Sequence, residues 1–368
     1  MSDSMTLPKG DKKLDQLAHL AQKNISIFSL GIALFAILAA LLVGAGLIAL
    51  DGINPWEAYG YLLKGTFGNL YGFGETLTYF VPILFTGLSF SIAYKSGFFN
   101  IGAQGQFIMG GLGAVLVGVY IKGLPPVLHI TLAMLAGFAA GALWAYIAGF
   151  LKISIGANEL INTMMLNYVA DLLVQFLVQG PIKDPGGSNF QSSEIQKSAA
   201  LPLIIPGTRV NLGFVFALLA VFAFYYFMWR TPWGFQLRSI GSNSRAASFA
   251  GMNIVVGTIV ACVVSGGFSG LGGAIELLGN QHRILEGFES GYGFDGIGAA
   301  VMGQHHPIGI VLSALLFAVI RTGTGAMQRD IGVPLPLLSV IQGLIIIMVV
   351  ASAYITNRLT TATIGGRA

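Results

Sequence analysis

Residues 97–107 read GFFNIGAQGQF, and this stretch lies inside a long apolar part of the chain. It holds three amide side chains, Asn100, Gln104 and Gln106, with glycines between them. In a bilayer such polar groups are costly unless they face protein or a water-filled cavity. The stretch therefore predicts a Gly-rich break, with Asn100 and Gln104 one helical turn apart beside a cavity. Close helix packing at the glycines is the alternative.

The composition of the whole chain is that of an integral membrane protein. Of its 368 residues, 55% are hydrophobic and 9% are charged, and the mean hydropathy is +0.77. Apolar segments near the ~20 residues that span a bilayer as a helix recur throughout. We predict an all-α, polytopic transmembrane bundle of about ten spans, at 25–50, 76–94, 106–121, 128–149, 160–180, 212–229, 254–279, 294–304 (short), 307–321 and 337–355.

The distribution of basic residues predicts the orientation of these helices, because cytoplasmic loops carry the excess of Lys and Arg. With the amino terminus inside, 11 of the 19 Lys and Arg residues fall on the cytoplasmic side and eight on the other. We predict a cytoplasmic segment at 1–24, a transmembrane domain at 25–355 and a cytoplasmic tail at 356–368. No basic patch interleaved with aromatic residues is found, so a nucleic-acid partner is not expected.

Catalytic and metal-binding motifs are not found in the sequence. No Gly-Lys pair occurs, which excludes a phosphate loop, and GYGFDG at 291–296 does not follow a strand as a dinucleotide site requires. His305 and His306 have no acidic or Cys neighbours and suit a polar turn, and Cys262 is the only cysteine. We therefore predict no enzymatic activity, no metal site and no cofactor in this chain.

A polar stripe follows the predicted span at 160–180. Every fourth residue from 159 is polar, and four residues advance a helix only ~40° beyond a full turn, so the stripe climbs ~30 Å along one face. Lipid is an unsuitable neighbour, since a charged side chain at mid-bilayer costs about 2.5–3.5 kcal/mol. We predict a water-lined route, and hydrogen bonding between helices is the alternative. The predicted route residues are Glu159, Asn162, Thr163, Asn167 and Asp171.

An internal repeat gives a second sign of a substrate path. GFFNIGA at 97–103 and GFDGIGA at 293–299 share five of seven residues, and each precedes or begins an apolar span. In the predicted topology the two copies start helices of opposite direction, as in the inverted repeats that enclose substrate paths in transporters. Asp295 matches the position of Phe99, and we include it in the predicted pathway.

The longest predicted cytoplasmic connection is residues 230–253. Small residues from Ser244 to Gly251 predict a short helix with Asn243 or Ser242 as its N-cap. Arg238 and Arg245 place this segment on the inner face. It could rest on lipid headgroups or dock to a soluble partner, and the sequence leaves both open.

Four motifs together resemble a known family: GFFNIGAQGQFIMGG at 97–111, GANELINTMMLNYVA at 156–170, TPWGFQLRSIGSNSRAASFAGMN at 231–253 and GFDGIGAAVMG at 293–303. From about 76 to 350 the chain is similar to permease subunits of bacterial ABC importers for simple sugars and nucleosides, most of all to the nucleoside permeases. The segment QHHP at 304–307 departs from the family pattern.

The resemblance implies a type II ABC importer-like fold in the bacterial plasma membrane, with both termini cytoplasmic. It implies a cytoplasmic ABC ATPase that uses ATP, a second homologous permease and an extracytoplasmic substrate-binding lipoprotein. It places contacts with the ATPase at Gly241, Asn243, Arg245, Ala246, Ala247 and Gly251.

Two other functions stay open at the level of sequence. A simple-sugar permease would share the same motifs. An ion-coupled secondary transporter would use Glu159, Asp171 or Asp295 to bind a proton or ion. A membrane enzyme lacks a catalytic constellation in the sequence.

Overall fold

A computed structural model describes residues 35–36, 38–186, 189–288, 290–334, 336–337, 339–345, 347–348 and 351–352. The chain divides into two compact units, residues 59–332 and a unit formed by residues 1–58 and 333–368. The predicted cytoplasmic segments 1–24 and 356–368, and parts of the first and last predicted spans, lie outside the described residues.

The fold is all-α, and β structure among the described residues is limited to three isolated bridges. In the terminal unit, described residues from 336 to 352 are helical. The labelled helices are α1 (Leu38–Leu50), α2 (Pro55–Phe67), α3 (Leu70–Lys95), α4 (Ala103–Tyr120), α5 (Pro126–Ile155), α6 (Glu159–Gln179), α7 (Gly213–Arg230), α8 (Pro232–Ser242), α9 (Ser244–Phe249), α10 (Ile254–Glu276), α11 (Tyr292–Met302) and α12 (Pro307–Ile331).

Seven helices in the described part of the chain are long and apolar enough to cross a membrane. They are α3, α4, α5, α6, α7, α10 with the turn that follows it, and α12. An eighth is added if α1 and α2 count as one broken span. The chain is therefore a multi-pass helical membrane protein, and the count of ten spans stays a prediction.

Eight of the ten predicted spans fall in residues 59–332, and the structure has a helix at each of them. The largest difference is α12, which continues to Ile331 instead of ending at 321. The prediction ended the span at Arg321 and placed this residue in a loop outside the membrane. In the structure Arg321 lies within α12 and pairs with Asp295 of α11. The amphipathic helix α2 was not predicted, because it is short and carries Glu57 and Lys64.

The helix α10 lies at the centre of residues 59–332 and packs against α3, α4 and α5. Its small residues let the backbones approach closely, as is common in membrane bundles. A Cβ atom at Gly270 would collide with the carbonyl oxygen of Gly137 on α5, and one at Gly110 on α4 would collide with the backbone of Gly270. These contacts fix α10 between α4 and α5.

Candidate functional site

Of the break predicted at 97–107, only residues 97–102 connect α3 to α4, and the prediction was wrong for Gln104, which lies with Gln106 in the first turn of α4. Asn100 is fully buried in this connection and exchanges two hydrogen bonds with Gln106, from Asn100 Nδ2 at 3.0 Å and from Gln106 Nε2 at 2.9 Å. Asn100 also donates to the hydroxyl of Ser265 on α10 at 2.9 Å and accepts from the amide of Gly102. The amides therefore fix the shape of the break through internal hydrogen bonds.

The middle of the predicted stripe on α6 packs against this break. Asn167 accepts a hydrogen bond from the amide of Gly105 at 2.8 Å and donates to the carbonyl of Ile101 at 3.1 Å. Thr163 is fully buried and donates to the carbonyl of Glu159, one turn earlier. The structure thus brings Thr163 and Asn167 together with the Asn100 cluster.

The other stripe residues have separate partners. Glu159 forms an ion pair with Lys152 at 2.8 Å, and Asn162 donates to the carbonyl of Ala148 at 3.0 Å. Asp171 accepts from Gln175 on the same helix at 3.1 Å. The contacts of Glu159 and Asn162 join α6 to α5, as the helix-packing alternative requires, whereas that of Asp171 stays within α6. The role of the stripe in transport remains a prediction.

Gln104 points away from the amide cluster and joins the two copies of the sequence repeat. Its side-chain oxygen accepts a hydrogen bond from the amide of Gly293 at 2.6 Å, in the first turn of α11. The two copies differ locally, since residues 97–102 form a turn region whereas 293–299 lie within α11.

A polar cavity of about 550 Å³ lies where the end of α10 approaches α3, α11 and α12. The segment α8–α9 lies near the opposite end of α10, which spans 23 residues and therefore about 34 Å. The break at 96–102 meets α10 near its middle, through Asn100 and Ser265. The residues of this cavity that bear on function are Tyr79, Arg209, Glu276, Asn280, Tyr292 and Arg321.

Glu276 ends α10 and is only 4% exposed. One turn of π-helix, Leu277–Gln281, follows it and directs two amides back to its carboxyl group. Asn280 donates to Oε2 at 2.8 Å and Gln281 to Oε1 at 3.4 Å. Such turns occur frequently at functional sites. Sequence reasoning missed Glu276, although a lone acid in an apolar span is itself a signal of function.

Asp295 and Arg321 form an ion pair between α11 and α12 beside this cavity. The Arg321 guanidinium lies 4.4 Å from the ring centroid of Tyr292 and 5.5 Å from that of Tyr79, and it also donates to the carbonyl of Ser290. The sequence analysis had proposed Asp295, which is held beside the cavity by Arg321, but none of the residues that line the cavity. Its partner was missed because Arg321 had been assigned to a loop outside the membrane.

The predicted short helix at the other end of α10 is confirmed as α9. Asn243 caps it by accepting from the amide of Ala246 at 3.0 Å. A second helix, α8, precedes it and was not predicted. Arg245 and Ala246 are exposed whereas Ala247 is buried, and Gly251 follows with a φ of 81°.

The α8–α9 segment contacts the end of α3. Gly241 lies against the backbone from Lys95 to Gly97, where a Cβ at Gly241 would collide with the carbonyl oxygen of Lys95. Lys95 and Arg238 both lie over the ring of Trp229, at 5.4 and 5.8 Å from its centroid. A displacement of α8 would therefore act directly on the break that follows Lys95.

The segment QHHP at 304–307, which departs from the family pattern, forms the turn between α11 and α12. His305 stacks on Tyr94 with ring centroids 4.0 Å apart and contacts the Ser91 hydroxyl at 3.3 Å. Burial, and then the charge of Lys95, lower the pKa of His305 to about 4, so its ring is neutral near pH 7. Among the described residues, no three His, Cys, Asp or Glu side chains are grouped as metal ligands.

The bundle, its polar cavity and the paired short helices at the opposite end define a membrane transport protein. Residues 72–350 match the family described as branched-chain amino acid transport system / permease component, and the chain belongs to this family of ABC transporter permeases. The resemblance seen in the four motifs is thereby confirmed.

Three relatives cover almost the whole chain. The guanosine ABC transporter permease protein NupP of Bacillus subtilis is 34% identical over 327 residues, which are 88% of this chain and 93% of that protein. The glucose ABC transporter permease protein TsgB13 of Haloferax volcanii is 34% identical over 334 residues, 88% of each chain. The nucleoside ABC transporter permease protein NupB of Lactococcus lactis is 30% identical over 327 residues, 86% of this chain and 90% of that protein. No solved structure matches the chain.

Proposed function

We propose that this chain is the membrane permease subunit of an ATP-driven importer of nucleosides. The observation that carries the proposal is the polar cavity, whose wall combines the aromatic side chain of Tyr79 with the amides of Asn280 and Gln281. Aromatic faces and amides suit a neutral ligand with a planar base and several hydrogen-bonding groups. The similarity to guanosine and nucleoside permeases supports the same substrate class.

In this proposal the chain crosses the plasma membrane ten times, with both termini in the cytoplasm. The basic residues near α8 and α9 support a cytoplasmic position for this segment, and the cavity then opens outward. A separate binding protein delivers the nucleoside to the outer side. The halves that begin with the two sequence copies form an inverted repeat of the type II importer kind, and a second homologous permease completes the pore.

The substrate pathway starts at the cavity beside Asp295 and continues along the break and the α6 stripe when these open during transport. Its proposed residues are Asn100, Gln104, Glu159, Asn162, Thr163, Asn167, Asp171 and Asp295. The enclosed hydrogen bonds of Asn100 and Asn167 represent the closed state of this route.

The energy comes from a cytoplasmic ATPase that docks on α8 and α9. Phe249 is 94% exposed at the end of α9, and α8 transmits the movement through Gly241 to the end of α3. The proposed docking and transmitting residues are Arg238, Gly241, Asn243, Arg245, Ala246, Ala247 and Gly251.

Uptake measurements in a deletion strain complemented with this chain test the proposal. We expect uptake of labelled guanosine and uridine to be restored by the wild-type chain and lost when the partner ATPase is inactivated. Normal nucleoside uptake without the chain, together with lost glucose uptake, would favour the sugar alternative that the glucose relative supports. Uptake that persists without the ATPase and collapses with ionophores would instead favour an ion-coupled carrier.

A further inference from the structure

Glu276 lines the polar cavity, and its carboxyl group retains hydrogen-bonding capacity. A carboxylate has about four acceptor positions. Asn280 and Gln281 donate one hydrogen bond each, one to either oxygen. The π-turn holds both amides in place, so the carboxyl group is fixed while about two acceptor positions stay available.

The cationic side chains that line the same cavity have other partners. Arg209 pairs with Glu75 at 3.4 Å, Arg283 with Glu194 at 2.8 Å, and Arg321 with Asp295. Among the described residues, Glu276 therefore forms no ion pair. Burying an acid without a cation is costly, and in a cavity such a group is a candidate for recognition of a ligand that supplies donors.

The remaining cavity wall restricts the class of ligand. The Arg321 guanidinium lies over one face of the Tyr79 ring, 5.5 Å from its centroid, and aromatic faces such as that of Tyr79 stack readily on planar rings. The volume of about 550 Å³ falls within the range of roughly 300–1,000 Å³ that is usual for small-molecule sites. A carboxylate binds most strongly to two adjacent N–H donors, because both of its oxygens are then engaged.

We propose that Glu276 determines specificity at a substrate site within this subunit by binding the edge of a purine base that carries a ring N–H beside an amino group. Guanosine has this edge, whereas adenosine has an unprotonated ring nitrogen beside its amino group. The inference rests on the proposed function in nucleoside import.

The test compares guanosine and adenosine uptake by the complete transporter with its ATPase and binding protein. The binding protein is the same for every variant, so its own preference cancels when a variant is compared with the wild type. We expect Glu276→Gln to lower the guanosine-to-adenosine ratio about tenfold, because one acceptor position becomes a donor that opposes the ligand N–H. Glu57→Gln, an exposed acid on α2 outside the cavity, is the matched control and should leave the ratio unchanged.

The outcomes separate the two proposals. Absence of nucleoside uptake by the wild-type transporter would refute the proposed function, whatever Glu276 does. Nucleoside uptake by the wild type with an unchanged ratio in Glu276→Gln would overturn the role of Glu276. If Glu276→Gln does not assemble with the ATPase, the guanosine-to-adenosine ratio is measured for Asn280→Ala instead. This variant removes one of the two hydrogen bonds that hold the carboxyl group. An unchanged ratio in that variant would equally overturn the inference.

Discussion

At the scale of single residues, polar side chains in this protein have two kinds of surroundings. Asn100 and Asn167 are buried and hydrogen-bonded to neighbouring helices and to the break. Glu276 and Arg321 border a cavity instead. Regular spacing along the sequence identified the first kind, because amides at helical intervals form a visible stripe. The second kind consists of isolated charges that no regular spacing marks, and the partner of Arg321, Asp295, lies 26 residues away in sequence.

The cysteine variant Thr163→Cys tests whether the α6 stripe opens during transport. Thr163 is fully buried, so the cysteine should not react with a small charged thiol reagent at rest. During ATP-driven turnover we expect it to react, because the proposed route then admits water. The native Cys262 is buried and is replaced by Ala to leave a single thiol.

The matched control for this measurement is Leu172→Cys on the same helix. Leu172 is 61% exposed on the apolar outer surface, where lipid excludes a charged reagent in every state. If Thr163→Cys stays as protected as Leu172→Cys throughout turnover, the stripe serves helix packing alone.

At the scale of helices, hydrophobic segments of suitable length predicted eight of the helices in residues 59–332 and their approximate ends. The extension of α12 was not predicted, because the apolar segment ends at Arg321 and the pairing of Arg321 with Asp295 on α11 is not visible in the sequence. The π-turn after α10 likewise depends on the interaction of Glu276 with two later amides. Both features arise from contacts between distant residues or from departures from regular helix, which hydropathy does not report.

The close packing of α10 predicts strong sensitivity to substitution at Gly270. Gly270→Ala should destabilise the protein by about 1–3 kcal/mol, because the new methyl group collides with the backbone of α5. The thermal denaturation midpoint of the purified protein measures this effect. Gly60→Ala is the control, since a Cβ there has no atom within 4 Å and alanine favours the helix. Equal midpoints for the two variants would contradict the packing argument.

Docking of α9 to the ATPase predicts crosslinks at its exposed face. Ser244→Cys and Ser248→Cys, each in the Cys262→Ala background, should crosslink to the ATPase, with yields that change when nucleotide binds. Lys122→Cys, also exposed but in the connection between α4 and α5, should give no crosslink. Free reaction of Ser244→Cys and Ser248→Cys with bulky reagents in the assembled complex, without any crosslink, would show that α9 does not dock.

At the scale of the molecular unit formed by residues 59–332, the two candidate sites lie at opposite ends of the same helices. The coupling segment precedes α10 and contacts the end of α3, whereas the cavity lies at the end of α10 and beside Tyr79 in the first half of α3. The two helices, α3 and α10, pack against each other along their length. A displacement at one end can therefore reach the other without any flexible intermediate.

Because the two sites lie at opposite ends of the unit, the proposed membrane orientation can be tested at each end. In intact cells that lack the partner ATPase, an impermeant thiol reagent should label Lys122→Cys, because the proposed orientation places the connection between α4 and α5 outside the cell. Arg245→Cys should react only after the membrane is permeabilised, since the same orientation places α9 in the cytoplasm. Both positions are exposed in this chain, and without the ATPase nothing else covers α9, so the membrane decides the difference. Labelling of Arg245→Cys in intact cells would invert the orientation, and the cavity would then face the cytoplasm, where it could not receive a nucleoside from an external binding protein.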